Sequence, residues 1–375
     1  MAKGIHPVAM PKWGMTMTEG TVANWLAEEG DRISEGHEFL EIETTKITNV
    51  VEAQAAGTLR RRLIAAGSTV PVGSLLAVIA EDATTDAELD EFIATYAPVE
   101  SDACDGSGTG PATHMVDAGG RHINVATLGD AGSDMVLLHG FGGDLNSWMF
   151  NQPELATRFK THAVDLPGHG QSTLYVGSGS VPGLAAAMLA VMDADDISSA
   201  HLVGHSLGGA IALFMAIKHP DQVLSATLVC PGGLGPDINL DFIDGFIAAD
   251  RRKDMKAVLG HLFADPGVVE RKMIEETLKY KRLDGVPEAL ETIRRANFTD
   301  TGQAGGMREG LVSAKVPVQV IWGDEDRVIP SAHMLDLPEA VHTHLIDGAG
   351  HMPHMEQSGT VTRLIADFAA QSEGA

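Results

Sequence analysis

The chain has 375 residues, 26 of them Lys or Arg and 51 Asp or Glu, for a formal charge of −25 at neutral pH. A surface this acidic repels phosphate backbones and anionic bilayers, which excludes nucleic acid and membranes as partners. Length and an apolar content of 44% allow two or three domains, one of them with a large core.

The N-terminus shows no charged segment followed by an apolar run, and no stretch of about 18 apolar residues occurs, so neither a signal peptide nor a membrane span is expected. The two cysteines, Cys104 and Cys230, lie far apart, which points to a reducing cytoplasm rather than a disulfide. No metal is expected.

The first 80 residues contain a repeat. GTVANWLAEEGDRISEGHEFLEI, from Gly20, aligns without a gap on GTLRRRLIAAGSTVPVGSLLAVI, from Gly57. Gly20, Thr21, Leu26, Gly30, Gly36 and Ile42 recur as Gly57, Thr58, Leu63, Gly67, Gly73 and Ile79, and apolar Val22 and Ile33 meet apolar Leu59 and Val70. Short strands punctuated by turn glycines, in two copies, predict a small quasi-twofold β-sandwich over residues 1–80. Between the copies, EIETTKITNV (41–50) alternates polar and apolar on either side of Lys46, which places that lysine at the tip of a hairpin.

Residues 81–114 are acidic and Gly/Ser-rich, with Pro98 and Pro111, and read as a flexible linker. Leu89, Phe92, Ile93 and Tyr96 fall at i, i+3, i+4 and i+7, so the linker holds one short amphipathic helix, expected to dock on a neighbouring domain.

From 115 to 375 the runs DMVLLHG, THAVDLPG, AHLVGHS, SATLVCPGG and VQVIWGDED alternate with helical stretches such as LGGAIALFMAIKHP. That rhythm predicts a mostly parallel sheet covered on both faces. Between about 236 and 316 the strands stop, and a helical insertion carries 13 of the 26 basic residues.

GHSLGG (204–209) follows the apolar strand AHLV and precedes a helix, which is the setting of a nucleophile elbow with Ser206 at its tip. A serine hydroxyl attacks only when a base takes its proton and a third group orients that base. The partners follow in the order acid, then base: WGDEDRVIP offers Asp324 and Asp326, and GAGHMPHMEQ offers His351 and His354. LLHGFGGD supplies a backbone N–H at Phe141, and Leu207 a second, for an oxyanion hole.

These residues carry resemblances. Residues 115–375 resemble the α/β-hydrolase family, with 236–316 as its cap; the resemblance implies Asp326, before Arg, as the acid, His351 as the base, and a structural role for Asp165 in DLPGHGQS. Residues 4–80, through GDRISEG, EIETTKITN and AAGTLRRRL, resemble lipoyl domains. That implies lipoate in amide linkage on Lys46, attached by a lipoate ligase or transferase and reaching about 14 Å. Here the lysine sits in Thr-Lys-Ile where Asp-Lys-Ala is commoner.

Domain for domain, the chain resembles the acyltransferase components of acetoin dehydrogenase complexes. The resemblance implies acetyl transfer from dihydrolipoyl-lysine to coenzyme A, with thiamin-diphosphate-dependent acetoin dehydrogenase subunits and dihydrolipoamide dehydrogenase as partners, in a homo-oligomer. The H-x-x-x-D-G signature of ordinary dihydrolipoamide acyltransferases is missing: His261 leads to Asp265-Pro266, and His344 meets Asp347-Gly348 one residue early. No small subunit-binding domain is visible in 81–114. The basic cluster of the cap favours coenzyme A phosphates; the rival expectation is an esterase or thioesterase in which water replaces coenzyme A.

Overall fold

The structure, a computed structural model, describes residues 5–10, 19–34, 37–43, 48–53, 55–81, 83–96 and 112–373. Lys46 and Cys104 lie outside these residues. The chain divides into two units, Met1–Ser107 and Gly108–Ala375.

In the first unit, strands β1 (Ile5–Ala9), β2 (Glu19–Trp25), β3 (Arg32–Ile33), β4 (Glu38–Glu43), β5 (Thr48–Glu52), β6 (Gly57–Arg62), β7 (Thr69–Pro71) and β8 (Leu75–Ala80) form two four-stranded sheets, ordered β1-β8-β6-β3 and β5-β4-β2-β7. The repeat maps one order onto the other. Repeat mates Val22 and Leu59, Phe39 and Leu76, and Ile42 and Ile79 are all buried in one core. Even the irregularities correspond: β2–β4 slips register between Val22 and Asn24, and β6–β8 between Leu59 and Arg61. The short strand of each copy crosses over, β3 pairing with β6 and β7 with β2. Neither copy therefore forms a sheet alone, and the sandwich is held by exchanged hydrogen bonds.

β4 and β5 pair antiparallel through Glu43 and Thr48, and Lys46 belongs to the 44–47 stretch that joins them.

The helix of the linker is α1 (Asp86–Thr95), started by a reciprocal capping box between Thr85 and Glu88. It does not float in the linker. Leu89 is fully buried against Ile5, Val78 and Ala80, with Phe92 and Ile93 beside it, and Asp86 accepts hydrogen bonds from both Arg60 and Arg61. The i, i+4 apolar stripe had to cover something, and the outer face of β8 is what it covers.

The second unit holds an eight-stranded sheet of β9 (Ala112–Asp117), β10 (His122–Leu128), β11 (Asp134–Leu138), β12 (Lys160–Val164), β13 (Ala200–His205), β14 (Val223–Val229), β15 (Val318–Gly323) and β16 (Val341–Ile346), in the order β16-β15-β14-β13-β11-β12-β10-β9. β11 to β16 run parallel, and β9 and β10 are antiparallel. β9 begins at Ala112, so the sheet takes in residues that a boundary at 115 leaves in the linker.

Around the sheet lie α2 (Gln152–Leu155), α3 (Val181–Ala194), α4 (Leu207–Lys218), α9 (Pro353–Glu356) and α10 (Ser358–Ser372). The insertion is a cap of α5 (Leu240–Ala248), α6 (Arg252–Leu259), α7 (Arg271–Lys281) and α8 (Val286–Asn297). β13 and β15 are buried along their whole length, which is why they read as unbroken apolar runs.

The cap's basic residues turn mostly to local partners: Arg252 and Arg271 meet Glu275, Arg294 meets Asp244, and Arg295 meets Glu291. Among the described residues no helix is long and apolar enough to cross a membrane.

Candidate active site

β13 ends at His205 and α4 begins at Leu207, leaving Ser206 alone at the turn with φ 53° and ψ −112°. Such a backbone costs a non-glycine residue roughly 1–3 kcal/mol and persists only when its surroundings enforce it. The neighbours do. A Cβ on Gly204 would lie 2.2 Å from the Gly208 oxygen, and one on Gly208 2.3 Å from the Leu138 oxygen, so only glycine fits on either side. The Ser206 N–H donates to Val229 O, and its carbonyl accepts from Ala210 and Gly232.

The loop after β11 passes directly against this turn: a Cβ on Gly140 would lie 2.8 Å from His205 Nδ1 and 3.1 Å from Ser206 Cβ. Phe141 is the next residue. Leu207 opens α4, and its N–H is one of the four that a helix leaves without an internal acceptor.

His351 and Asp326 arrive from the loops after β16 and β15. His351 Nδ1 lies 2.7 Å from Asp326 Oδ2, with both side chains out of solvent. Asp326 is held from every side: its Oδ1 accepts from the Val328 and Ile329 N–H groups, its Oδ2 from Trp322 Nε1. Burial pushes its carboxyl up, yet the charge of His351 and these hydrogen bonds outweigh that and leave it below the usual carboxylate range.

Asp324 is exposed and caps the Gly348 N–H instead. His354 is buried, its ring tilted against those of Trp148 and His205 with centroids 4.6 Å and 4.7 Å away. The geometry thus separates Asp326 from Asp324 and His351 from His354. Ser206 and His351 line the same cavity of about 760 Å³, bounded by Gly140, Phe141 and the cap helix α7 with Lys272 and Lys279. Ser206 also lines a second cavity of about 290 Å³.

Cys230 Sγ, Asp326 and His351 place possible metal-ligand atoms within 4.8 Å of one another, but the aspartate and histidine are already bonded to each other and burial drives the Cys230 thiol well up, toward the neutral form. The trio is closely packed, its aspartate and histidine engaged with each other, and is not an open ligand set.

A family model described as alpha/beta hydrolase fold matches residues 135–358, and one described as Biotin-requiring enzyme matches residues 6–79. The dihydrolipoyllysine-residue acetyltransferase component of the acetoin cleaving system of Pseudomonas putida is 42% identical over 97% of this chain and 98% of its own length. That of Cupriavidus necator is 40% identical over 96% of each.

The chain belongs to the acetyltransferase components of acetoin-cleaving systems.

Solved structures support the fold of the second unit. A meta-cleavage product hydrolase from Pseudomonas fluorescens superposes with a TM-score of 0.63 at 20% identity, covering 69% of this chain and 98% of its own. A bacterial membrane phospholipase A gives 0.62 at 24% identity over 71% and 88%.

In this member of the acetoin-cleaving family, several residues that sequence reasoning passed over hold the site in shape. His139 Nε2 accepts from the Leu166 N–H, and His169 Nε2 from the Gly142 N–H, so both rings are neutral with Nδ1–H donating to the Gly140 and Pro167 carbonyls. His205 Nε2 bonds the His351 carbonyl at 2.8 Å. Glu356 ties the histidine loop to the cap, accepting from Gly350 and Ala264. Asp165, expected to be structural, accepts from the Leu145 and Gln171 N–H groups and Asn124. Two of these histidines were visible as flanks of LLHGFGGD and DLPGHG; nothing in the sequence marked their acceptor roles.

Burial holds His139 down at about 4, and His169 and His354 at about 3. Unfolded imidazoles titrate near 6.5. Between those values the unfolded chain binds protons that the folded one refuses, so stability is full above pH 6.5 and lost as pH falls. Every such histidine adds to the loss in that window, in the same direction. The urea midpoint should drop clearly between pH 7 and pH 5; an unchanged midpoint would show that the folded protein accepts the protons.

Proposed function

We propose that this chain is the dihydrolipoyllysine-residue acetyltransferase of an acetoin-cleaving complex. It takes up an acetyl group at lipoyl-Lys46, moves it to Ser206 and delivers it to coenzyme A. The observation that carries the reading is the near end-to-end match to two acetyltransferase components, spanning both the carrier unit and the hydrolase unit.

Lipoate held by Lys46 would supply a thiol able to bring an acyl group to the site. Ser206 Oγ attacks the thioester carbonyl while His351 takes the hydroxyl proton, and Asp326 keeps the imidazole's Nδ1–H turned inward. The Phe141 and Leu207 N–H groups receive the negative charge that builds on the carbonyl oxygen, worth about 3–4 kcal/mol per donor. The C–S bond breaks and the thiolate leaves with the proton from His351. Coenzyme A thiol then reverses these steps on the Ser206 ester. The larger cavity suits this acceptor: it is roomy, and among the described residues its Lys272 and Lys279 form no ion pair, although Glu270 and Glu276 line it too.

The partners implied are thiamin-diphosphate-dependent acetoin-cleaving subunits that supply the acetyl group, dihydrolipoamide dehydrogenase that reoxidises the dithiol, and the ligase or transferase that attaches lipoate, all in the cytoplasm around a homo-oligomer of this chain. With the H-x-x-x-D-G signature absent, Ser206, His351 and Asp326 take the place of the usual acyltransferase histidine.

Purified protein given acetyl-dihydrolipoamide should form acetyl-coenzyme A only when coenzyme A is added. Free acetate at the same rate with or without coenzyme A would make the protein a thioesterase.

A further inference from the structure

The two cavities that meet at Ser206 differ in kind. The smaller, about 290 Å³, is walled by Phe214, Ile238, Ile243, Phe298 and Met307. Among the described residues, none of those lining it is charged. Its three polar side chains away from the nucleophile are spoken for. Asn297 accepts from the Val181 N–H and donates to Gly179 and Ile293 oxygens. Gln303 accepts from the Gly233 N–H and donates to the Asp237 oxygen, and Ser180 bonds Ser178 and the Gly183 N–H. What faces the space is mostly hydrocarbon.

Volume sets the occupant. An apolar cavity of about 150 Å³ is filled by benzene, a six-carbon ring. An acetyl group brings two carbons, so it leaves most of this chamber empty. A phosphate or carboxylate meets no cationic side chain among the described residues lining it, which disfavours coenzyme A's nucleotide end on this side.

We propose that the smaller cavity is an acyl chamber for uncharged aliphatic chains of about six to eight carbons, so that the protein transfers medium-chain acyl groups as well as acetyl. The proposal rests on the reading of Ser206 as acyl acceptor. The step is acylation without redox change: the Ser206 Oγ–carbonyl bond forms, the bond from the carbonyl to the departing sulfur or oxygen breaks, and the hydroxyl proton passes through His351 to the leaving group. The chain beyond the carbonyl lies in the chamber, and each methylene buried there raises kcat/KM up to about fourfold.

The test uses the full-length protein and p-nitrophenyl acetate, butyrate, hexanoate and octanoate, reading the burst of p-nitrophenolate and kcat/KM. Hexanoate should exceed acetate at least tenfold. Ala210 lines the chamber, and Ala210→Leu, which pushes hydrocarbon into it, should bring that ratio close to one. Hexanoyl-dihydrolipoamide with coenzyme A should yield hexanoyl-coenzyme A. A flat or falling series in a protein that still acylates with acetate overturns the chamber and leaves the acetyltransferase reading standing. No acyl-enzyme from any of the four esters overturns both.

Discussion

Ser206→Ala is expected to lower acetyl transfer from acetyl-dihydrolipoamide to coenzyme A by at least about 10⁴-fold, with the fold intact. The size of the effect follows from the geometry. Ser206 is the one hydroxyl that the turn between β13 and α4 holds against both cavities, and His351, bonded to Asp326 behind it, lines the larger of them. Removing the hydroxyl leaves the oxyanion donors and both cavities in place, so substrate still binds while the covalent step is lost. The measurement is steady-state formation of acetyl-coenzyme A, with a urea unfolding curve to show that the variant folds. A variant retaining a tenth of the wild-type rate would mean that the acyl group passes directly between thiols and that the elbow is a relic of the fold.

Lys46→Arg should abolish flux from acetoin to acetyl-coenzyme A in a reconstituted complex while leaving transfer from free acetyl-dihydrolipoamide within about twofold. Arginine keeps the charge and length of the side chain but cannot take the amide that attaches lipoate. Tethering holds a carrier near its site at an effective concentration around the millimolar range, which a free cofactor at micromolar levels does not match. Overall flux is read as NADH formation by the dehydrogenase. Persisting flux in the variant would place the carrier elsewhere, and an intact mass of the wild-type protein from a lipoate-competent host without the lipoyl increment would remove the assignment of Lys46.

Much of the fold was legible because its signals are local. Turn glycines and matched apolar positions at a constant offset revealed both copies of the sandwich, and their mates meet in one core. The parallel strands announced themselves as apolar runs because both faces are covered. What the sequence hid is non-local. The exchange of β3 and β7 between sheets depends on pairing across the whole sandwich, and no single stretch encodes it.

The helix after Pro71 and β8 was visible by its spacing, but the face that it covers was not. At the site, motif order singled out Ser206 and His351, which line one cavity, and Asp326, which bonds His351. The neutral histidines that brace the loop after β11 escaped notice because a histidine's role as acceptor is set by the backbone amide that reaches it, here from 27 residues away in both cases. Composition could not sort the basic cluster of the cap: four of its arginines pair with nearby carboxylates, while Lys272 and Lys279 line the larger cavity.

In the proposed reaction the acyl group rests on Ser206 between its two thiol carriers. Lipoylated protein supplied with an acetyl donor and no coenzyme A should carry acetyl on the peptide containing Ser206, seen by mass spectrometry after acid quenching, and a pulse of coenzyme A should discharge it. Full-rate formation of acetyl-coenzyme A by a protein whose Ser206 never carries acetyl would contradict the account.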